Sequence, residues 1–332
     1  MNERLKIDKK WFIIINIIFI LFISFILVLT SLDNGKIDLL ISKNIANVYP
    51  GSRYTDNIFA KIVSIFGEMP IYVVSIFSLY GLEYAIRDIN KRRKFINLVR
   101  IIVLIIGISL GVFMFHRLCK YIYIATYYET DKVWSSLLSI SIFLTLPASL
   151  VLNFSLYYLV NKLSLDKRTM LHLSIVGIIA VLSGYLIIEI LKTIISRNRY
   201  GAIVYLANSD FETYFTAWYK KGIKFEGTMG VAEGMTDDSK SFPSGHTQAA
   251  STSLFLAFLP FYFAKYNDKK YKLWFFITPV VYILIVMFGR VLAGAHYLSD
   301  VTFGLIIGLI CIMVPFLVDY KYYLVKNSVE NI

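Results

Sequence analysis

The chain has 332 residues, of which 57% are hydrophobic and 17% charged, with a mean hydropathy of +0.64 and a formal net charge of +12. That much apolar side chain cannot be hidden inside a water-soluble domain of this size, so the composition excludes a soluble enzyme and implies an integral membrane protein. The cations fall mainly in alternate connections between apolar runs, which is a topology signal and excludes nucleic acid as the partner of the net charge.

A bilayer-spanning helix needs about 20 apolar residues. Eight runs qualify: 12–31, 60–82, 98–117, 134–160, 170–190, 248–264, 273–289 and 297–318. The expected fold is therefore all-α, a polytopic membrane bundle of about eight transmembrane helices. Pro70 and Pro147 interrupt the second and fourth runs. Lys6, Lys9 and Lys10 ahead of the first run resemble the start of a signal peptide, but no Ala-x-Ala pattern closes the run, so an uncleaved anchor is expected. Cations also follow the second run (Arg87, Lys91, Arg92, Arg93, Lys94), the fourth (Lys162, Lys167, Arg168), the sixth (Lys265, Lys269, Lys270, Lys272) and the eighth (Lys321, Lys326). The positive-inside tendency puts these connections and both termini in the cytoplasm of a cell-membrane protein and turns the others outward.

Two outer connections, 32–57 and 192–245, are long, whereas Arg290 to His296 is a short turn. Within the longer one, Phe211 to Lys224 mixes aromatics with Lys220, Lys221 and Lys224, a pattern for an interfacial amphipathic helix or an aromatic belt. Cys119 and Cys311 have neither disulfide nor metal-ligand placement. Glu68, Glu83, Glu189, His116 and His172 lie in or near spans and read mainly as span-end or interhelical groups. Glu189 is one turn before Lys192 and is placed to pair with it.

Three stretches at span ends carry chemistry. Pro243, Ser244, Gly245 and His246 stand just before the sixth run, with Ser244 as an N-cap. A helix start offers unpaired N–H groups, Gly245 allows close approach, and His246 is placed to exchange a proton, as in a phosphate cradle. An ordinary capped helix with an incidental histidine fits the same tetrapeptide. His296 and Asp300 are four apart on one helix face, so Asp300 can hold one ring nitrogen protonated and leave the other to attack; a structural His–Asp pair between spans is the alternative. Lys192, Arg199 and Arg290 put three cations on the same side, where snorkelling anchors look alike one by one but not in convergence with two histidines. Glu233, Asp237 and Asp238 read as a solvated loop, and no metal or cofactor motif is present.

These stretches resemble the type 2 phosphatidic acid phosphatases, which share a core with vanadium haloperoxidases. The family patterns are K-x6-R-P, P-S-G-H and S-R-x5-H-x3-D, matched here by Lys192 and Arg199, by Pro243 to His246, and by Arg290, His296 and Asp300. Tyr200 stands where the family has proline, and Gly289 where it has serine, so the loop path after Arg199 changes and one hydroxyl is lost. The first pattern closes the fifth span rather than the third, which implies two added helices. The resemblance implies residues 1–168 as N-terminal helices, 169–320 as the catalytic spans and 321–332 as a cytoplasmic tail. It further implies a metal-independent hydrolase for a lipid phosphate, of the undecaprenyl pyrophosphate, phosphatidylglycerol phosphate or phosphatidic acid type. Lys192, Arg199, Arg290, Ser244 and Gly245 would bind the phosphate, His296 would form a phosphohistidine, Asp300 would orient it, and His246 would protonate the leaving group. A phosphotransferase with the same intermediate and a non-catalytic lipid transporter or scaffold are the alternatives.

Overall fold

The computed structural model describes residues 9–49, 55–87, 93–127, 138–163, 166–206, 211–222, 238–266 and 268–321. Lys6, Lys91, Arg92, Lys224, Glu233, Asp237, Lys326 and the tail from 322 onward lie outside the described residues. Among the described residues all regular structure is helical, and seven stretches are long and apolar enough to cross a membrane: Ile20–Ile45, Ile58–Ile86, Lys94–Tyr123, Phe143–Lys162, Lys167–Tyr205, Lys269–Leu292 and Leu298–Asp319.

The first two are composite. Helix α1 (Lys9–Ser31) ends in a tight 3-10 turn in which Asp33, Asn34 and Gly35 all have positive φ, at 50°, 54° and 85°. Asp, Asn and Gly tolerate that left-handed backbone best. The chain thereby reverses into α2 (Lys36–Ile45), inside the 32–57 segment for which the sequence predicts a long connection and no helix of span length. Helix α3 (Ile58–Phe66), whose first turn is capped by the Asn57 side chain at 3.1 Å from the Ala60 N–H, stops at Gly67. After Glu68, α4 (Met69–Ile86) starts with Pro70 in its first turn, where a missing N–H costs nothing. Pro147, by contrast, is carried within one continuous helix, α6 (Leu138–Lys162), which packs on α5 (Arg93–Tyr127).

Helix α7 (Lys167–Ile195), started by an Asp166 cap, packs on α4 and on α13 (Leu298–Asp319). Lipid tails are as apolar as leucine, so close backbone approach and polar bonds, rather than exclusion of water, bring such helices together. The α4–α7 seam is built that way: a Cβ on Gly81 would lie 2.2 Å from Ser174 Oγ, and one on Gly177 2.1 Å from Ser78 Oγ. The apolar residues left outside, such as Leu182 and Phe154, face the hydrocarbon.

The run expected as a sixth span, 248–264, is not one regular helix. It divides into α10 (Gly245–Ser251), a 3-10 turn (Thr252–Leu254) and α11 (Phe255–Tyr262), packed among α4, α7, α12 (Lys269–Leu292) and α13. The cause is local. Ser251 Oγ donates to the Thr247 carbonyl at 2.8 Å and the Thr252 hydroxyl to that of Ala249, and such back-bonding competes with the helical ladder. At the far end, Asp319 accepts from Tyr262 and pairs with His172 Nδ1, both at 2.5 Å, so His172 is an interhelical tie. Glu83 is likewise held by Arg87 and Arg100, and both cysteines are free thiols.

Candidate active site

Three chain breaks deliver the side chains. Helix α7 ends at Ser196, whose φ of 50° turns the chain so that Arg197 and Arg199 follow Lys192 inward. Ser244 caps α10 with its hydroxyl, which accepts from the Thr247 N–H at 3.4 Å, so the N-cap expected there is present. Helix α12 carries Arg290 in its last turn, and Gly294, at φ 65°, leads to His296 just ahead of α13. The α13 backbone approaches the Ser244 turn so closely that a Cβ on Gly304 would lie 2.4 Å from the Ser244 carbonyl oxygen.

Lys192, Arg199, Gly245, His246, Arg290 and His296 all line one cavity of about 470 Å³. Ser244 and Asp300 stand behind it, fully buried, rather than in its wall. Lys192 Nζ is 3.2 Å from Glu189 Oε1, the pairing expected from their spacing, and it passes 3.1 Å from where a Cβ on Gly245 would sit. Among the described residues, the buried Nε atoms of Arg199 and Arg290 have no hydrogen-bond partner. Gln248 Nε2, on another lining residue, has none either. Buried donors seldom stay unmatched, and the cavity beside them, lined by Lys192, Arg199 and Arg290, has the charge that suits an anion.

The His296–Asp300 relation differs from the expectation. His296 Nδ1 is 2.7 Å from the Ser241 carbonyl oxygen but 3.8 Å from Asp300 Oδ2. Asp300 is occupied elsewhere: it accepts from Arg197 at 2.6 Å, from the Ser241 hydroxyl at 2.5 Å and from the Tyr297 N–H at 2.9 Å. It therefore fixes Ser241, and the Ser241 carbonyl fixes the ring. With Nδ1 donating to that carbonyl, the lone pair is on Nε2. Burial pushes the His296 pKa down to about 3, with the charges of Arg290 and Arg199 adding to it against the pull of Asp300. His246 is held well below its ordinary value by burial first and then by Arg290 and His296.

Beneath the cavity lies a charge network that the sequence reading missed. Arg197, fully buried, donates through Nε to the Thr216 carbonyl at 2.7 Å, through one terminal nitrogen to Asp300 and Ser299, and through the other to Asp38 on α2 at 3.0 Å. Asp38 also accepts from the Ser299 hydroxyl at 2.5 Å. The available signal was Asp38 itself, a carboxylate among Ile37, Leu39 and Leu40 that needs a cation. Arg197 and Ser241 had no signal of their own beyond lying beside the matched patterns.

Two further expectations are corrected. Asp238 is buried in the cavity wall, and its carbonyl accepts from the Arg199 N–H at 2.8 Å, so it is not part of a solvated loop. The aromatic stretch forms only one helical turn, α9 (Phe211–Tyr214), and then packs inward, with the Trp218 ring 4.8 Å from that of Phe303.

The two departures from the family patterns also have a physical account. A Cβ at Gly289 would lie 2.5 Å from Val63 Cγ1 on α3, which leaves no room for serine. Tyr200 is buried, starts α8 (Tyr200–Leu206), and clusters with Tyr297, Leu39, Ala46 and Val48. Both substitutions face N-terminal helices.

The family model described as the PAP2 superfamily matches residues 172–323. No curated protein and no solved structure matches the chain. All three patterns fall within the matched stretch, so residues 172–323 are similar to the PAP2 superfamily and bring six of the pattern residues to one cavity.

Proposed function

We propose that the protein is a membrane lipid phosphate phosphatase that acts through a phosphohistidine on His296. The observation that carries this reading is the convergence of two imidazoles and three cations, two with unmatched guanidinium nitrogens, on one cavity. Lys192, Arg199 and Arg290 bind the non-bridging oxygens and neutralise the charge that develops on them. His296 Nε2 attacks phosphorus, a P–N bond forms, and the P–O bond to the leaving group breaks. His246 gives its proton to the departing oxygen. It then takes one from water as water cleaves the phosphohistidine, releasing inorganic phosphate and both histidines in their starting states.

A lipid rather than a soluble ester is favoured by the flank of the cavity. Ile71, Tyr72, Phe113, Tyr185 and Ile188 continue its wall, and Phe113 and Tyr185 are 51% and 61% exposed on the side that faces hydrocarbon. A headgroup can occupy the polar end while its tails stay in the bilayer. Phosphatidic acid, phosphatidylglycerol phosphate and undecaprenyl pyrophosphate fit this description, with the site open to the outer leaflet and both termini in the cytoplasm.

The purified protein, assayed with a chelator present, is expected to release phosphate from at least one of these lipids, and His296→Ala to lose at least about 1,000-fold of that rate, as expected for removal of a nucleophile. Release that depends on added magnesium, or that survives in His296→Ala, refutes the mechanism. Labelled phosphate appearing on a second lipid instead of free in solution identifies transfer rather than hydrolysis.

A further inference from the structure

Every charged group that the family patterns contribute sits on or beside α7, α10, α12 or α13, yet the wall facing His246 is built by the N-terminal half. Glu68, at the break between α3 and α4, brings Oε1 to 3.2 Å from His246 Nδ1. The Ser64 carbonyl, one turn earlier, lies 3.2 Å from Nε2. Glu68 is itself clamped: Arg117 on α5 donates to both its oxygens at 2.9 and 2.8 Å, and Tyr121 bonds Arg117 at 2.8 Å while its ring stands edge-on to the imidazole at 5.5 Å. Glu68, Arg117 and Tyr121 all line the cavity and all lie outside the matched segment.

We infer that Glu68, held by Arg117 and Tyr121, is the positioning residue for His246 and keeps its proton ready for the leaving group. The inference rests on the reading of the cavity as a phosphatase site. Both ring nitrogens face oxygen acceptors, and only a doubly protonated imidazole donates to both. Other groups oppose that proton: Arg290 on α12, Arg199 after α7 and Arg117 on α5 all add positive charge near the ring, as burial also disfavours its charged form. A phosphate bound among the same cations offsets them, and the carboxylate of Glu68 then sets the balance. The proton leaves through Nε2, where the departing oxygen replaces the Ser64 carbonyl, while Nδ1 stays on Glu68. Each histidine thus has its own anchor: a carbonyl holds the nucleophile neutral, and a carboxylate supports the charge on the acid. The break at Gly67 to Pro70 is what turns Glu68 out of the helical ladder and toward the ring.

The test compares kcat/KM, which reports the step that breaks the P–O bond, on two substrates. One is phosphatidic acid, a lipid phosphomonoester whose alkoxide needs a proton; the other is 4-nitrophenyl phosphate, whose phenolate does not. Glu68→Gln is expected to lower kcat/KM on the lipid about 10- to 100-fold, to leave the aryl ester near wild type, and to move the basic limb of the lipid pH profile to lower pH. A merely structural role predicts equal loss on both substrates and an unmoved limb, and that result overturns the inference. If Glu68→Gln does not yield folded protein, Glu68→Asp keeps the charge for Arg117 but retracts it from Nδ1. A smaller loss confined to the alkyl ester supports the inference, and equal losses overturn it. His246→Ala separates the two levels. If it shows the alkyl-selective loss and Glu68→Gln does not, the positioning role fails alone; if the wild type releases no phosphate from either substrate, the phosphatase reading fails.

Discussion

Replacing Arg197 by methionine tests the network beneath the site. The guanidinium is fully buried and sits 2.6 Å from Asp300 and 3.0 Å from Asp38, neither of which is exposed. Removing one partner of a buried pair costs about 3–5 kcal/mol, because the surviving charge has lost its compensation. Here two carboxylates survive side by side, which argues for the upper end, about 5 kcal/mol. With an unfolding entropy of about 2.1 cal/mol/K per residue, a chain of 332 residues shifts by about 1–2 °C per kcal/mol, so the melting temperature should fall by about 5–10 °C. Thermal unfolding of detergent-solubilised protein, followed by tryptophan fluorescence, measures this directly. Arg197→Lys should recover only part, since one ammonium cannot serve Thr216, Asp300 and Asp38 in the plane that a guanidinium fork does. Adding Asp38→Leu to Arg197→Met removes one stranded carboxylate and should raise the melting temperature again. A melting temperature for Arg197→Met within about 2 °C of wild type, or a double variant no better than the single, refutes the reasoning.

Gly289→Ser, although it installs the residue the family pattern carries, should destabilise the protein by about 1–3 kcal/mol through overpacking against the stiff, buried Val63 side chain; an unchanged melting temperature counts against the close contact. Stability should also depend on pH through His296. Its folded pKa of about 3 lies below the unfolded value of about 6.5, so the unfolded chain binds the extra proton in between. The contribution of the buried neutral ring is complete above about pH 6.5 and is lost as pH falls toward 3. Melting curves from pH 7 to 4 should show that loss, and it should be shallower in His296→Asn.

The all-helical membrane architecture was legible because a run of apolar residues of span length has few other uses, and the six cavity-lining residues were legible because three ordered patterns fix them. What escaped was of two kinds. Asp38 and Glu68 act on residues more than a hundred positions away, and sequence spacing carries no trace of such a contact. Ser241 works through its backbone carbonyl, a group every residue has, so no side-chain pattern marks it. For Asp300 the spacing suggested a direct bond to His296, because four residues bring the groups near without saying that Arg197 and Ser241 have already claimed the carboxylate. The irregular path of the sixth run was not legible, because hydropathy does not register the hydroxyls of Ser251 and Thr252, whose bonds to the preceding turn interrupt the ladder.

The inward face of α2 and the α3–α4 break make the signature-bearing stretch dependent on chain that carries no signature. Excised at residue 172, it would keep every hallmark side chain and lose the counter-charges of His246 and of the buried Arg197 beneath the site, together with the wall that closes its cavity. Grafting loops from a PAP2 superfamily protein onto this scaffold meets the same obstacle, for a serine at 289 must first displace Val63, and a proline at 200 would empty the space that the Tyr200 ring fills. Heritable pattern and working unit therefore have different borders in this molecule, and engineering should follow the second.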